Sequence, residues 1–496
     1  MITGVYSEEY SAADRVVLDS VKQPPHGVRV AILVLVFSVA GVAEAVRITS
    51  LTSLSASDIW WHLRTGLWIL QNHALPRFGI YSQSAQLPWA ESSWLYDLLL
   101  ALGYKLLGIA VLPATLIVFR AVLAVIVFML AGGTRDRFWV ALTLSLVAQY
   151  ILSGFAPTPE LSSVLLFGVE LILLFESRRT TNSRLLFWAI PLFLIWANIS
   201  PLFVYGLTML LLLVIFEASK RQASLSQSGV PVFGLSLVAS LITPYAYKPW
   251  VSFLHSFTSD ANQYFPDRLA MKFHQPQDYL LLLLTMAAFL FLGVRRSKDP
   301  FLISALVASA ALSFYSQNNI WLVTLISVGI IADSPEAENA INGPVLLKTT
   351  RTAAVVTFVV LAATFVLLVP HKQPALLSRV STTYPVVAAN YIRDHRLPQP
   401  LFNAYEWGGF LMWYMPDYPV AIDGRTDLYR DDIYVNYSKV LNADLPMNSC
   451  PPLEQARTIL LPRKSLLARA LSTVPAFKVV YRDDVSTVLA PINSAQ

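Results

Sequence analysis

Long apolar runs separated by short polar breaks occupy most of the chain. Strongly apolar stretches fall near 30–46, 94–107, 110–131, 138–153, 161–176, 185–198, 201–217, 230–243, 279–294, 300–316, 319–332 and 352–370. Several are shorter than the roughly 20 residues a helix needs to cross a bilayer, so their ends are soft. Two regions break the pattern. Between the first and third runs lies a block dense in acids, bases and aromatics, beginning Asp58-Ile-Trp-Trp-His-Leu-Arg-Thr-Gly. After 371 the runs shorten and alternate in type. There the pattern predicts helices over 384–395, 407–414 and 465–471. It predicts strands at 400–403, 420–423 and 458–461, and a hairpin of 477–481 with 486–489. Such alternation implies a small α/β domain.

Composition fixes the class. Of 496 residues 55% are hydrophobic and only 14% are charged, against about a quarter charged in soluble domains. The mean hydropathy is +0.55. The fold class expected is therefore an α-helical polytopic membrane protein with a small C-terminal α/β extracytoplasmic domain. The net charge of +5 sits in short loops, which is a topology signal and not a nucleic-acid signature. Cys450 is the one cysteine, which excludes an intrachain disulfide and disfavours thiolate-bound zinc. The polar first 29 residues and the long first apolar run suit an uncleaved signal anchor.

The charged loops also set the sides. Arg135/Arg137, Arg178/Arg179/Arg184, Lys220/Arg221, Arg295/Arg296/Lys298 and Lys348/Arg351 are separated by two apolar runs each time. All five can share the cytoplasmic side. Segments 154–160, 199–201, 244–278, 317–319 and the tail then face outward. Run 94–107 is interrupted by Asp97 and Lys105 and opened by Trp94 and Tyr96, so it is expected to lie along the outer interface. About 11 crossings follow, with a cytoplasmic tail 1–29, a transmembrane body 30–370 carrying an external loop 47–109, and an outer domain 371–496. No internal repeat or heptad seam is visible.

Candidate chemistry gathers in the external loop. Asp58 and His62 are one helical turn apart and can face one cleft, and Arg64 is within reach of a phosphate. Asp58 directly follows the first apolar run and a Ser-rich loop, and is a candidate helix cap. Glu160 follows Pro159 at the outer end of the third crossing, where the helix dipole favours an acid. Trp89, Glu91 and Asn198 are candidate substrate contacts. Two carboxylates, Asp58 and Glu160, could hold Mg²⁺ or Mn²⁺. Arg120, deep in an apolar run, needs a partner and suits packing. His255 and His274 sit in the polar loop 244–278. The strand-end motif Ile422-Asp423-Gly424-Arg425-Thr426-Asp427 suits either a ligand site or a buried pair that pins the domain.

These blocks resemble a known family. The acid after the first crossing, the amphipathic helix, the Pro88-Trp89 segment and a second interfacial helix are similar to the first external loop of GT-C glycosyltransferases. Trp407-Gly-Gly-Phe-Leu and Ile422-Asp-Gly-Arg-Thr-Asp-Leu-Tyr, with the Asp58 block, look like a bacterial family of multi-pass GT-C-like proteins. The resemblance covers about 50 to the C-terminus. It implies an inverting glycosyltransferase of a bacterial plasma membrane. Such an enzyme moves a sugar from a polyprenyl-phosphate donor to a glycan, lipid or protein acceptor on the outer face. It implies Asp58 as the catalytic acid and Glu160 as its helper or metal ligand. The chain departs from the pattern at Ala156-Pro157, Asn198-Ile-Ser200-Pro201 and Ser316-Gln-Asn-Asn319, where relatives tend to carry an Arg, a His and another Arg. These losses leave two rivals: an inactive GT-C-like scaffold or assembly subunit, and a transporter or flippase of lipid-linked material, which the lack of a repeat disfavours.

Overall fold

The computed structural model describes residues 24–49, 58–133, 138–219, 223–265, 268–333, 343–368, 373–442 and 444–492. Most of the expected tail 1–29, the pairs Arg135/Arg137 and Lys220/Arg221, and Asp267 lie outside them.

The apolar runs become helices. These are α1 (His26–Thr49), α2 (Asp58–Asn72), α3 (Trp94–Leu107), α4 (Val111–Leu130), α5 (Phe138–Ile151), α6 (Pro159–Thr180), α7 (Ala189–Ile199), α8 (Phe203–Ser219), α9 (Ala223–Leu241), α10 (Lys248–Thr258), α11 (Pro276–Val294), α12 (Pro300–Tyr315), α13 (Ile320–Ala332) and α14 (Gly343–Leu368). Among the described residues, three helical segments are long and apolar enough to cross a membrane: Trp94–Leu130, Pro276–Val294 and Lys348–Val366. Shorter apolar helices cover most of the other runs, and the run 161–176 lies within the 22-residue α6. The first long segment is not one uniform helix. Gly108 stands between α3 and α4 at φ 59°, a conformation that favours glycine. The α3 side chains divide accordingly: Tyr96, Asp97, Leu100 and Ala101 are buried, and Leu99, Leu102 and Leu106 are exposed.

One end of the bundle is tied by charge. Arg178, at the end of α6, pairs with Glu217 at 2.9 Å and with Asp299 ahead of α12. At the other end, buried Arg120 donates to the carbonyls of Leu152, Ser153 and Phe155. It thereby satisfies the chain end of α5, which is the packing role its burial requires.

The C-terminal region forms α15 (Gln373–Val380), α16 (Val386–Asp394), β1 (Leu401–Asn403), α17 (Tyr405–Tyr414), α18 (Asp431–Leu441), α19 (Pro451–Glu454), β2 (Thr458–Pro462), α20 (Leu466–Thr473), β3 (Phe477–Arg482) and β4 (Ser486–Pro491). The sheet order is β1-β2-β4-β3. β1 and β2 are parallel, with Leu401 opposite Thr458. The hairpin β3–β4 is antiparallel, as its spacing predicts. The strand expected at 420–423 does not form. Val420 makes only isolated bridges to Ser82 and Leu401. The reason is local: the Asn403 side chain accepts the Ala421 N–H and donates to the Ile422 carbonyl, both at 2.8 Å. A side-chain amide replaces the ladder.

The segment 58–112 and this domain share one core. Trp60 of α2 is fully buried, with ring centroids 5.7 Å from Tyr384, 5.3 Å from Phe410 and 4.9 Å from Trp413. The apolar side of an interfacial-looking helix is thus covered by the domain that follows the last apolar run.

Candidate functional site

Asp58 is the first residue of α2, and Glu160 lies in the first turn of α6 behind Thr158 and Pro159. A helix N-terminus favours negative charge. Both acids line the same two adjoining cavities, of about 310 and 910 Å³. The walls come from the segments that the charge pattern groups on one face. Gly154–Glu160, Ser200–Leu202, residues of 252–278 and Gln317–Asn319 all contribute. So do Gly424–Asp427 of the C-terminal domain.

The Asp-Gly-Arg motif meets Asp58 directly. A Cβ built on Gly424 would fall 2.0 Å from Asp58 Oδ1 and 3.0 Å from Trp61 Nε1. Only glycine allows that approach. The flanking residues hold the segment. Arg425 Nη2 donates to Asp423 Oδ2 at 2.7 Å, and both side chains are fully buried. Tyr429 donates to the same oxygen at 2.7 Å, and Arg425 Nη1 donates to the Ile80 carbonyl at 2.9 Å. The guanidinium also lies 4.8 Å from the Trp89 ring. The pair therefore pins the domain to the segment that carries Ile80 and Trp89, the structural role open to it in the sequence.

Other expected contacts divide. His62 and Glu91 line the smaller cavity. Trp89 stands beside it, donating to Asp427 at 3.2 Å. His255 lines the smaller cavity and His274 the larger. Arg64 turns to Tyr81, with a 2.6 Å hydrogen bond and stacking at 4.3 Å. Asn198 is spent on structure. It accepts from Trp94 at 2.8 Å and donates to the Leu194 and Ile242 carbonyls, beside a separate apolar pocket. The departures Ala156, Ser200, Pro201, Ser316 and Asn318 do face the cavities.

A cation is present by another route. Arg268 lines both cavities with Asp58 and Glu160. Its hydrogen bonds go to neutral oxygens of Asn262 at 2.9 Å and Thr426 at 3.2 Å. Sequence reasoning missed it because a single arginine in a polar loop carries no motif. Asp97 was missed as a functional group for the opposite reason: it stands out as an interruption of an apolar run and says nothing of where it points. It points at His62, whose Nδ1 is 2.7 Å away. Burial holds the His62 imidazole below its ordinary pKa. Burial, with Asp427 adding to it, pushes the Glu91 carboxyl up to about 8.

Two carboxylates facing one cavity suit Mg²⁺ or Mn²⁺ shared with a substrate phosphate. They do not make a self-sufficient ligand set. Among the described residues, the group of three His, Cys, Asp or Glu side chains that converges is His62, Glu91 and Asp97. No protein-family model and no curated protein matches the chain.

Proposed function

We propose that this protein is a multi-pass glycosyltransferase of a bacterial plasma membrane. It transfers a sugar from a polyprenyl-phosphate donor to a glycan, lipid or protein acceptor at the outer face. About 11 crossings and an outward C-terminal domain belong to this reading, with α2 and α3 lying at the interface. One observation supports it above the rest. Asp58 and Glu160, distant in sequence, line one cavity system together with the arginine Arg268.

The chemistry is a single displacement. Asp58 takes the proton of the acceptor hydroxyl as that oxygen bonds the anomeric carbon. The bond from that carbon to the phosphate oxygen breaks, and its electron pair leaves with the polyprenyl phosphate. Arg268 meets the charge that develops on the phosphate. Glu160 holds the acceptor. Mg²⁺ or Mn²⁺, when bound between the acids, would add positive charge at the phosphate.

The test is Asp58→Asn in cells, with expression matched, reading envelope glycans and lipid-linked sugars. Transfer is expected to fall by about 10²- to 10⁴-fold, the usual contribution of a positioned base, while donor accumulates. Unchanged products with intact protein would overturn the reading and leave the scaffold alternative.

A further inference from the structure

At the wall of the smaller cavity lies a cluster that the transfer reading does not use. His62 comes from α2, Glu91 from the turn ahead of α3, and Asp97 from the first turn of α3. Gly66 lets the two helices approach: a Cβ there would sit 1.9 Å from the Asp97 carbonyl oxygen. The ligand atoms of the three side chains lie within 4.8 Å of one another. All three residues are buried, at 4%, 2% and 0% exposure. Glu91 Oε1 accepts the Ser93 N–H at 2.7 Å, and Asp97 Oδ1 faces His62 Nδ1. The second oxygen of each acid, Glu91 Oε2 and Asp97 Oδ2, is buried without a hydrogen-bond partner among the described residues. Arg425, the nearby cation, already serves both oxygens of Asp423.

Two adjacent buried carboxylates with unused oxygens need a proton or a cation. The geometry points to a cation: we propose that His62, Glu91 and Asp97 bind one divalent ion of the zinc class. The donor set decides the class. One imidazole nitrogen with two carboxylate oxygens suits Zn²⁺, whereas Mg²⁺ and Ca²⁺ prefer oxygen alone. Zinc holds such ligands at about 2.0–2.2 Å, so a 4.8 Å spread closes by small side-chain rotations. The ion takes the place of the proton between His62 and Asp97. Three protein ligands leave a fourth position, as in catalytic zinc sites. His62 and Glu91 line the smaller cavity, so an ion held there would lie beside it. Trp61 stacks on the His62 ring at 3.6 Å and Tyr96 meets it edge-on at 5.6 Å, which fixes the imidazole plane.

The site is tested without any turnover assay, so its failure is separate from failure of the transfer reading. The full-length chain is purified in detergent, loaded with Zn²⁺, passed over a weak chelator and analysed for metal. Wild type is expected to keep about one Zn²⁺ per chain. Glu91→Gln and Asp97→Asn are expected to keep at least tenfold less, and to match the metal-stripped wild type in elution. Zinc X-ray absorption of wild type should show one imidazole among oxygen ligands, which decides the matter even where the variants aggregate. Wild type without stoichiometric zinc, an all-oxygen shell, or full retention in both variants would overturn the proposal.

Discussion

Gly424 has no side chain, and the Asp58 carboxylate fills the space where one would be. Gly424→Ala places a methyl group inside that carboxylate, so Asp58 must swing away or the motif must retreat. Transfer should fall at least tenfold, with the protein still eluting as a monodisperse species. Normal transfer would detach Asp58 from the reaction. The neighbouring pair gives a different result. Arg425→Met leaves Asp423 charged, buried and unpaired. Breaking a buried pair from one side costs about 3–5 kcal/mol, read as a lower thermal midpoint in detergent. Asp58 and Glu160 stand out in the sequence as acids beside apolar runs, and both line the same cavities. Arg268 and Asp97 are not, because their roles depend on which segments meet across the fold.

At the scale of elements, the segment 420–423 shows how far periodicity reaches. Its residues have strand character, but Asn403 satisfies their backbone in place of a neighbouring strand. Asn403→Ala should remove both bonds and leave a buried N–H and C=O open, costing about 1–3 kcal/mol per orphaned group. The same variant should raise hydrogen exchange at Ala421. An unchanged exchange rate would show that another group holds the segment. Helix α2 makes the complementary point. Its sequence reads as an interfacial helix, and it packs Trp60 into the aromatic cluster of α17. Trp60→Ala should cost about 3–5 kcal/mol, as large core truncations do, and should loosen the C-terminal domain. Limited proteolysis after residue 371 would report that loosening, and unaltered cleavage would speak against the shared core. The hairpin β3–β4 and the helices of the bundle were predictable because their signals are local.

Among the described residues, the two ends of the helix bundle differ. The Arg178–Glu217–Asp299 cluster ties one, and the acid-lined cavities open at the other. The proposed orientation puts the cavity end outside. Cys450 is buried, so it supplies little background for thiol labelling. A cysteine at the exposed position Lys478 should react with an impermeant maleimide on intact spheroplasts. One at Lys298 should react only after lysis. The reverse pattern would invert the topology and remove the outer-face reading. The sequence by itself determined the class of this protein, because transfer of apolar runs from water is a property of composition and local order. The spacing of its positive clusters also grouped 154–160, 199–201, 244–278 and 317–319 on one face, and residues of all four segments line the cavities. Only the tertiary structure decided that the segment 58–112 and the C-terminal domain form one core, that Gly424 seats Asp58, and that Arg268 places a cation at the cavity. Those facts rest on contacts between residues hundreds of positions apart, and such contacts leave no periodic trace along the chain.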